Sequence, residues 1–361
     1  MKINSIDLQN FRNYDLLNIS FDGNTNIIYG DNAQGKTNIL EAIYVSATTK
    51  SHRGNKDREM IKFNEDESHI KSIVEKKGTT YRIDMHIKKN KSKGIAINGI
   101  PIKKASELFG IVNIVVFSPE DLNIIKEGPA ARRRFIDMEL SQIDKIYLND
   151  LSNYNRILIQ RNKLLKDASF RSDSLDTLDI WDMQLINYGR KMIERRKKFI
   201  ESLNKIIFEI HKNLSGNKEE LVIKYDPNVG TDEFEKQLAL GRDRDLKTKM
   251  TNIGPHKDDI SFFINGNDVR KYGSQGQQRT SALSLKLSEI ELVKSVINDQ
   301  PILLLDDVLS ELDSNRQNLL LNSIKEIQTI ITCTGLDEFV NNRFTINKIY
   351  KVTDGHVSIE N

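Results

Sequence analysis

The chain has 361 residues, 29% of them charged, a formal net charge of +3 and one cysteine, Cys333. That length allows two domains with a sizeable core, and a lone cysteine excludes a disulfide framework and suits a reducing cytosol. The longest apolar stretches, "IVNIVVF" (111–117) and "PILLL" (301–305), are far short of the ~20 residues needed to cross a bilayer.

The first eleven residues, "MKINSIDLQNF", alternate apolar and polar side chains as a strand does. They carry neither the apolar core of a signal peptide nor an Arg-rich transit character. The run "IIYGDNAQGKTNILEAI" (27–43) comes next. Ile27, Ile28 and Tyr29 read as a buried strand, and Ile39, Leu40, Ala42 and Ile43 recur at helical spacing. Between them, Gly30-x4-Gly35-Lys36-Thr37 fits a phosphate-binding loop. In such a loop backbone N–H groups wrap the phosphates, the lysine adds a point charge, and the helix opens with its positive end towards the anion. The competing reading is a plain glycine turn; the flanking strand and helix count against it. The candidate ATP ligands are therefore Gly30, Asp31, Asn32, Ala33, Gln34, Gly35, Lys36, Thr37 and Asn38.

The remainder of the first ~125 residues is β-rich. "YRIDMHI" (81–87) alternates, Asn98-Gly99 signals a hairpin, and "IVNIVVF" reads as a buried strand. From about residue 129 the period changes. Leu140, Ile143, Tyr147, Leu151, Tyr154 and Leu158 recur every three or four residues, and so do Leu178, Trp181, Leu185, Tyr188, Met192, Phe199, Leu203, Ile206 and Ile210. These stripes predict two long amphipathic helices, interrupted at Arg195 and separated by "ASFRSDS" (168–174). The simplest arrangement is an antiparallel hairpin with arms of about 50 to 60 Å. After Tyr225 a poorly periodic stretch leads to a second Asn-Gly hairpin at Asn265-Gly266, a helix from about Ser274 to Asn298, the strands "PILLLDD" and "TIITC", and a final hairpin at Asp354-Gly355.

"PILLLDDVLSELD" (301–313) is an apolar strand ending in two carboxylates. At the C-terminal edge of a sheet, Asp306 would hold Mg2+ together with Thr37, and Asp307 would orient or deprotonate a water. Lys36 and Asp306 stand 270 positions apart. A single nucleotide fold does not require such a gap, so the helical hairpin reads as an insertion. The expected layout is a head half at 1–125, an inserted arm at 126–250 and a second head half at 251–361. Small residues in "YGSQGQQRTSALSLKL" (272–287) precede a helix and offer a second anion-binding helix start. Beside an existing phosphate loop, that points to a nucleotide gripped between two copies of the chain.

Three stretches are locally basic: 48–62, 86–93, and the pair 131–135 with 189–199. Such a set can follow a phosphate backbone; a solvated lysine-rich surface is the plain alternative for each. The DNA candidates are Lys50, Arg53, Lys56, Lys62, Lys88, Lys89 and Lys91. Arg132, Arg133 and Arg134, at the start of the first arm helix, are expected to brace the arm against the head by ion pairing rather than to touch DNA.

These motifs together resemble the ABC-type ATPase heads of the SMC superfamily, with "GDNAQGKT" as phosphate loop, "GSQGQQR" as signature, "LLLDD" as acidic strand and "SELD" as the D-loop. The segments "LQNFRNY", "KSHR", "FSPEDL", "RRRFIDMEL", "GPHKDD", "YGSQGQQRT" and "LLLDDVLSELD", in that order, make the chain similar to the RecF family of DNA replication and repair proteins. The resemblance implies an α/β fold: a mixed sheet with helices, an antiparallel β lobe and an inserted antiparallel helical-hairpin arm. It implies a cytoplasmic protein that binds ATP with Mg2+ and DNA without sequence preference. It also implies ATP-driven homodimerisation, action with RecR and RecO in loading RecA at single-strand gaps, and a weak DNA-stimulated ATPase serving as a switch in recombination, DNA damage repair and the SOS response.

By the same resemblance Arg12 approaches the nucleotide, Ser274, Gly276 and Gln277 contact ATP on the other protomer, Thr332 or Thr334 forms the switch, and Lys36 and Asp307 are catalytic. Lys257 stands where the family usually has arginine, keeping the charge without the bidentate fork. Asp307 stands where many ABC ATPases have glutamate, and its shorter reach suits slow turnover. An ABC transporter subunit is disfavoured by the long gap, a long-armed SMC protein by arms of ~40 residues, and a fused nuclease by the few residues after Asp313. Another SMC-like ATP-gated DNA clamp remains the alternative.

Overall fold

Alternation in "KINSIDLQNF" becomes β1 (Lys2–Phe11), which turns at Arg12 and Asn13 into antiparallel β2 (Tyr14–Ser20), with Phe11 opposite Tyr14. The computed structural model describes residues 1–54, 56–167, 177–336 and 346–360. Its contacts separate two units, residues 1–121 with 289–361 and residues 122–288. The first unit continues with β3 (Thr25–Tyr29), α1 (Lys36–Thr48), β4 (Glu67–Lys76), β5 (Thr79–Lys88), β6 (Gly94–Ile97), β7 (Ile100–Pro101) and β8 (Ile114–Phe117). The expected hairpin at Asn98-Gly99 holds, with both residues at positive φ between β6 and antiparallel β7. An antiparallel sheet of order β2-β1-β4-β5-β6-β7 results. It buries Ile6, Leu8, Ile70, Val74, Ile83 and Met85 on one side, the alternation of a one-faced sheet.

The second unit contains α2 (Leu122–Lys126), α3 (Pro129–Ile143), α4 (Lys145–Asp167), α5 (Leu178–Leu214), β9 (Leu221–Asp226), α6 (Phe234–Leu240) and α7 (Arg242–Thr248). β10 (Asp259–Ile264), β11 (Asn267–Asp268), α8 (Val269–Tyr272) and the start of α9 (Gln275–Ile297) complete it. The expected first arm helix is broken. Asp144 leaves helical geometry at φ −133°, ψ 98°, and its carboxylate accepts the N–H groups of Ile146 and Tyr147, so it ends α3 and caps α4. The arms are accordingly unequal: α4 has 23 residues and α5 has 37, roughly 35 and 55 Å. They run antiparallel, because Arg161 late in α4 meets Asp182 early in α5 at 2.6 Å and Tyr147 early in α4 accepts from Arg196 at 2.9 Å. The predicted separator 168–174 lies outside the described residues.

Arg195 pairs with Asp144, and the neighbouring Arg196, not Arg195, occupies the buried stripe. Arg196 is 1% exposed and donates to Tyr147 Oη at 2.9 Å, the Pro255 carbonyl and Asp137 at 2.7 Å each, and Asp258 at 2.8 Å. Arg132, also buried, grips Asp259 with both edges of its fork, at 2.6 and 2.9 Å. These pairs, with β10 laid against β9, bring 251–288 into the helical unit. The boundaries expected at 125 and 250 therefore differ from the observed division at 121 and 288. The Arg132–Asp259 pair ties α3 to β10 inside one unit, not the arm to the head as expected.

The first unit resumes with β12 (Ile302–Asp306), α10 (Ser314–Ser323), β13 (Thr329–Cys333), β14 (Lys348–Thr353) and β15 (His356–Glu360). Its second sheet has the order β15-β14-β3-β13-β12-β8, in which all but edge strand β15 are parallel. β12 and β13 are buried at every position, as strands covered on both faces must be.

Arg196→Ala would strand Asp258, itself 1% exposed, without its principal cation. The expected loss is ~3–5 kcal/mol in chemical denaturation, and a loss below about 1 kcal/mol would show that the network is peripheral to stability.

Candidate nucleotide site

Strand adjacency brings the distant motifs together. β13 lies between β3 and β12, so the loop after β3, Asp306 at the end of β12 and Thr332 in β13 share one edge of the parallel sheet. That is where open α/β sheets carry ligands. Thr37 donates its hydroxyl to Asp306 Oδ1 at 2.8 Å, and Thr332 donates to the same oxygen at 2.7 Å. A hydroxyl beside a carboxylate is an oxygen-only donor set, the chemistry Mg2+ selects.

The loop is shaped by its glycines. Gly30 has φ +150°, and a Cβ there would lie 2.3 Å from the Val352 carbonyl oxygen; Gly35 has φ +112° and is packed by the side chain of Asn13. Ala33 also takes positive φ. Lys36, 7% exposed, turns back on its own loop and donates to the carbonyls of Gly30 at 2.5 Å and Asp31 at 2.7 Å. Burial pushes its pKa down, opposed by Asp307, Cys333, Asp306 and Asp31. Gln34 accepts from the Asp354 N–H, Asn38 donates to Asn13 at 2.8 Å, and Tyr14 donates to the Gly35 carbonyl at 3.1 Å. Asn13, Tyr14 and Asp354 thus brace the loop, although none was expected at the nucleotide site; Asn13 and Tyr14 directly follow Arg12 in "NFRNY".

Arg12 is engaged with fully buried Glu41 through two bonds of 2.8 and 2.7 Å and with the Glu59 carbonyl at 2.6 Å. Ser51 also donates to Glu41, at 2.5 Å. Glu41 is the anchor that sequence reasoning missed, although a glutamate on the apolar side of α1 was visible as a break in the hydrophobic pattern. Asp307 follows Asp306 at φ +53°, its N–H bonded to the Thr332 hydroxyl and carbonyl at 3.1 Å each. That left-handed backbone is one that residues other than glycine adopt at a cost. Thr334 follows β13 and is exposed.

The signature segment belongs to the second unit and is described within it. Ser274 and Gln277 cap α9 reciprocally, Ser274 N–H to Gln277 Oε1 at 2.9 Å and Gln277 N–H to Ser274 Oγ at 3.2 Å. Gln277 also donates to Glu219 at 2.9 Å, and Glu219 meets buried His211 at 3.3 Å. Gly276 is exposed.

Among the DNA candidates, Lys62 pairs with Asp15, Lys88 with Glu67 at 2.8 Å and Lys89 with Asp66 at 3.2 Å, while Arg53 stands 4.0 Å from Glu41. Lys50, Lys56 and Lys91 are exposed, and no ion pair involves them among the described residues. The stretch 48–62 also contributes Asp57, which holds Lys93 at 2.7 Å. Much of this positive charge is locally compensated.

A family model, the RecF/RecN/SMC N-terminal domain, matches residues 2–358. The chain is 66% identical over its full length to the DNA replication and repair protein RecF of Lachnospira eligens, all of which is covered, and 66% identical to that of Agathobacter rectalis, with 99% of each chain covered. A solved structure of the recombination mediator protein RecF with ATP, from the RecFOR pathway, superimposes with a TM-score of 0.93 at 37% identity, covering 99% of this chain and 97% of that one. The Smc head domain of Pyrococcus furiosus aligns with a TM-score of 0.56 at 17% identity, covering 99% and 95%, a likeness of ABC-type ATPase fold. Among the described residues no helix is long and apolar enough to cross a membrane.

Gly30→Ala forces a side chain against the Val352 carbonyl at a backbone angle that L residues resist. We expect a stability loss of ~2 kcal/mol or more and loss of nucleotide binding, read by thermal unfolding and by titration with a fluorescent ATP analogue. Wild-type behaviour in both would show that the loop has other room.

Proposed function

Because the chain belongs to the RecF family of DNA replication and repair proteins, we propose that it is an ATP-dependent DNA-binding protein of recombinational repair. ATP joins two copies head to head on DNA, and slow hydrolysis resets them. In this reading it works in the cytoplasm with RecR and RecO to load RecA at single-strand gaps. The observation that carries it is the 2.8 Å bond between Thr37 and Asp306, which unites two motifs separated by most of the chain.

The residues fit their expected ligands. Lys36 exchanges two carbonyl partners for phosphate oxygens, and the loop N–H groups surround the anion. Thr37 and Asp306 hold Mg2+, which when bound neutralises charge on the phosphates. Asp307 orients the attacking water and accepts its proton. Ser274, Gly276 and Gln277 approach the nucleotide of a second copy, and Thr332, already bonded to Asp306, reports on the site's occupancy. Lys50, Lys56 and Lys91 are the leading DNA contacts, because Lys62, Lys88 and Lys89 must first release carboxylates. An SMC-like ATP-gated clamp with other partners is the alternative reading.

Asp307→Asn is expected to slow single-turnover hydrolysis at least about tenfold while ATP binding and dimerisation survive; Asp306→Asn should weaken Mg2+-dependent binding as well. Equal effects in nucleotide titration and hydrolysis would reject this division of roles. Ser274→Arg should retain ATP on each monomer and abolish the dimer in sedimentation with ATP. A normal ATP dimer would reject the sandwich.

A further inference from the structure

We infer a divalent transition-metal site, of the kind zinc fills, on the antiparallel sheet of the first unit, held by Glu67, His69 and His86. The inference rests on neither ATP nor DNA binding. Glu67 and His69 are two residues apart on β4, so strand periodicity puts them on the same face. His86 on β5 is the direct cross-strand partner of His69, and Lys88 is that of Glu67. Three donor atoms, one from each ligand, lie within 4.8 Å of one another, and this is the metal-competent group found among the described residues.

The donor set is already partly assembled. His86 Nε2 lies 3.0 Å from Glu67 Oε2, and the two imidazoles stack with centroids 3.8 Å apart. Two nitrogens and a carboxylate oxygen suit zinc, and two adjacent paired strands hold them with little backbone freedom. Tetrahedral coordination at ~2.0–2.1 Å places donors roughly 3.3 Å apart, which side-chain rotation achieves from the present separation. Three protein ligands leave a fourth position for water or a donor from another molecule.

Lys88 is the competitor. Its ammonium lies 2.8 Å from the same Glu67 oxygen, so metal entry must displace it or use the carboxylate's other oxygen. A bare salt bridge beside a histidine stack is the outcome if the competitor wins.

The full-length protein, stripped with a chelator, is titrated with ZnCl2 by calorimetry at pH 7.5 in a non-chelating buffer, and with Co2+ by visible absorbance. We expect one site lost about tenfold or more in affinity in His69→Ala and in His86→Ala, weaker binding in Glu67→Gln, and weaker binding as the pH is lowered, because protons compete with the metal for its ligands. Asp306→Asn, which removes the other oxygen donor set, should leave this site unchanged. All three substituted side chains are solvent-accessible, and circular dichroism checks that the variants fold. No zinc binding by wild type, or binding equal in the His69→Ala/His86→Ala double variant, overturns the proposal, as does a site that vanishes only in Asp306→Asn.

Discussion

One carboxylate oxygen organises the first unit. Asp306 Oδ1 accepts hydroxyls from Thr37 and Thr332, which belong to a helix start and a strand on different sides of the long chain excursion. A carboxylate 8% exposed is costly to desolvate unless its lone pairs are filled. The two hydroxyls fill those of Oδ1 in this conformation, and fix where the phosphate loop stands relative to the acidic strand. Fully buried β12 and β13 provide the rigid base; the loop needs no further tether on that side.

The second unit solves a related problem with arginine. Arg132, Arg161 and Arg196 are each at most 2% exposed, and each is enclosed by carboxylates on other elements: Asp259, then Asp182 with Asp245, then Asp137 with Asp258. Replacing such groups by apolar ones is often neutral for stability, but their planar forks admit few alternative registers. The α4/α5 pair therefore has its register set at both ends, Arg161 near one and Arg196 near the other.

The two strands of the nucleotide edge and the phosphate loop were legible because local pattern determines them: an apolar run, glycines at fixed spacing, a helical stripe. What escaped was decided by contacts remote in sequence. Asp144 is the exception: its cap on Ile146 and Tyr147 is local, an N-cap signal masked by the apolar stripe that runs on across it. The stripe passes through Arg196 because Asp137 and Asp258 arrive from elsewhere; from sequence alone Arg195 and Arg196 look equivalent. The segment 251–288 was assigned by motif order to the head, whereas β9–β10 pairing, a non-local ladder, gives it to the helical unit. Charge clusters were the least legible feature, because counting lysines omits the aspartates and glutamates that the sheet sets opposite them.

The start of α9 shows how far a short motif reaches. Ser274 and Gln277 close a reciprocal cap, so the helix's first turn is ordered before any ligand arrives. Gln277 cannot rotate freely, because its amide is also held by Glu219, whose other oxygen meets His211 near the end of α5; His211 in turn bonds Ser284, two turns further along the same face of α9. His211 is fully buried, so its bonds to Glu219 and Ser284 are made away from water, where they are held more firmly than at the surface. The orientation of the signature residues is thereby set by the far end of the longest helix as well as by their own sequence. If this turn grips a nucleotide on another copy, the chain Gln277–Glu219–His211 is the contact through which the end of α5 bears on that grip.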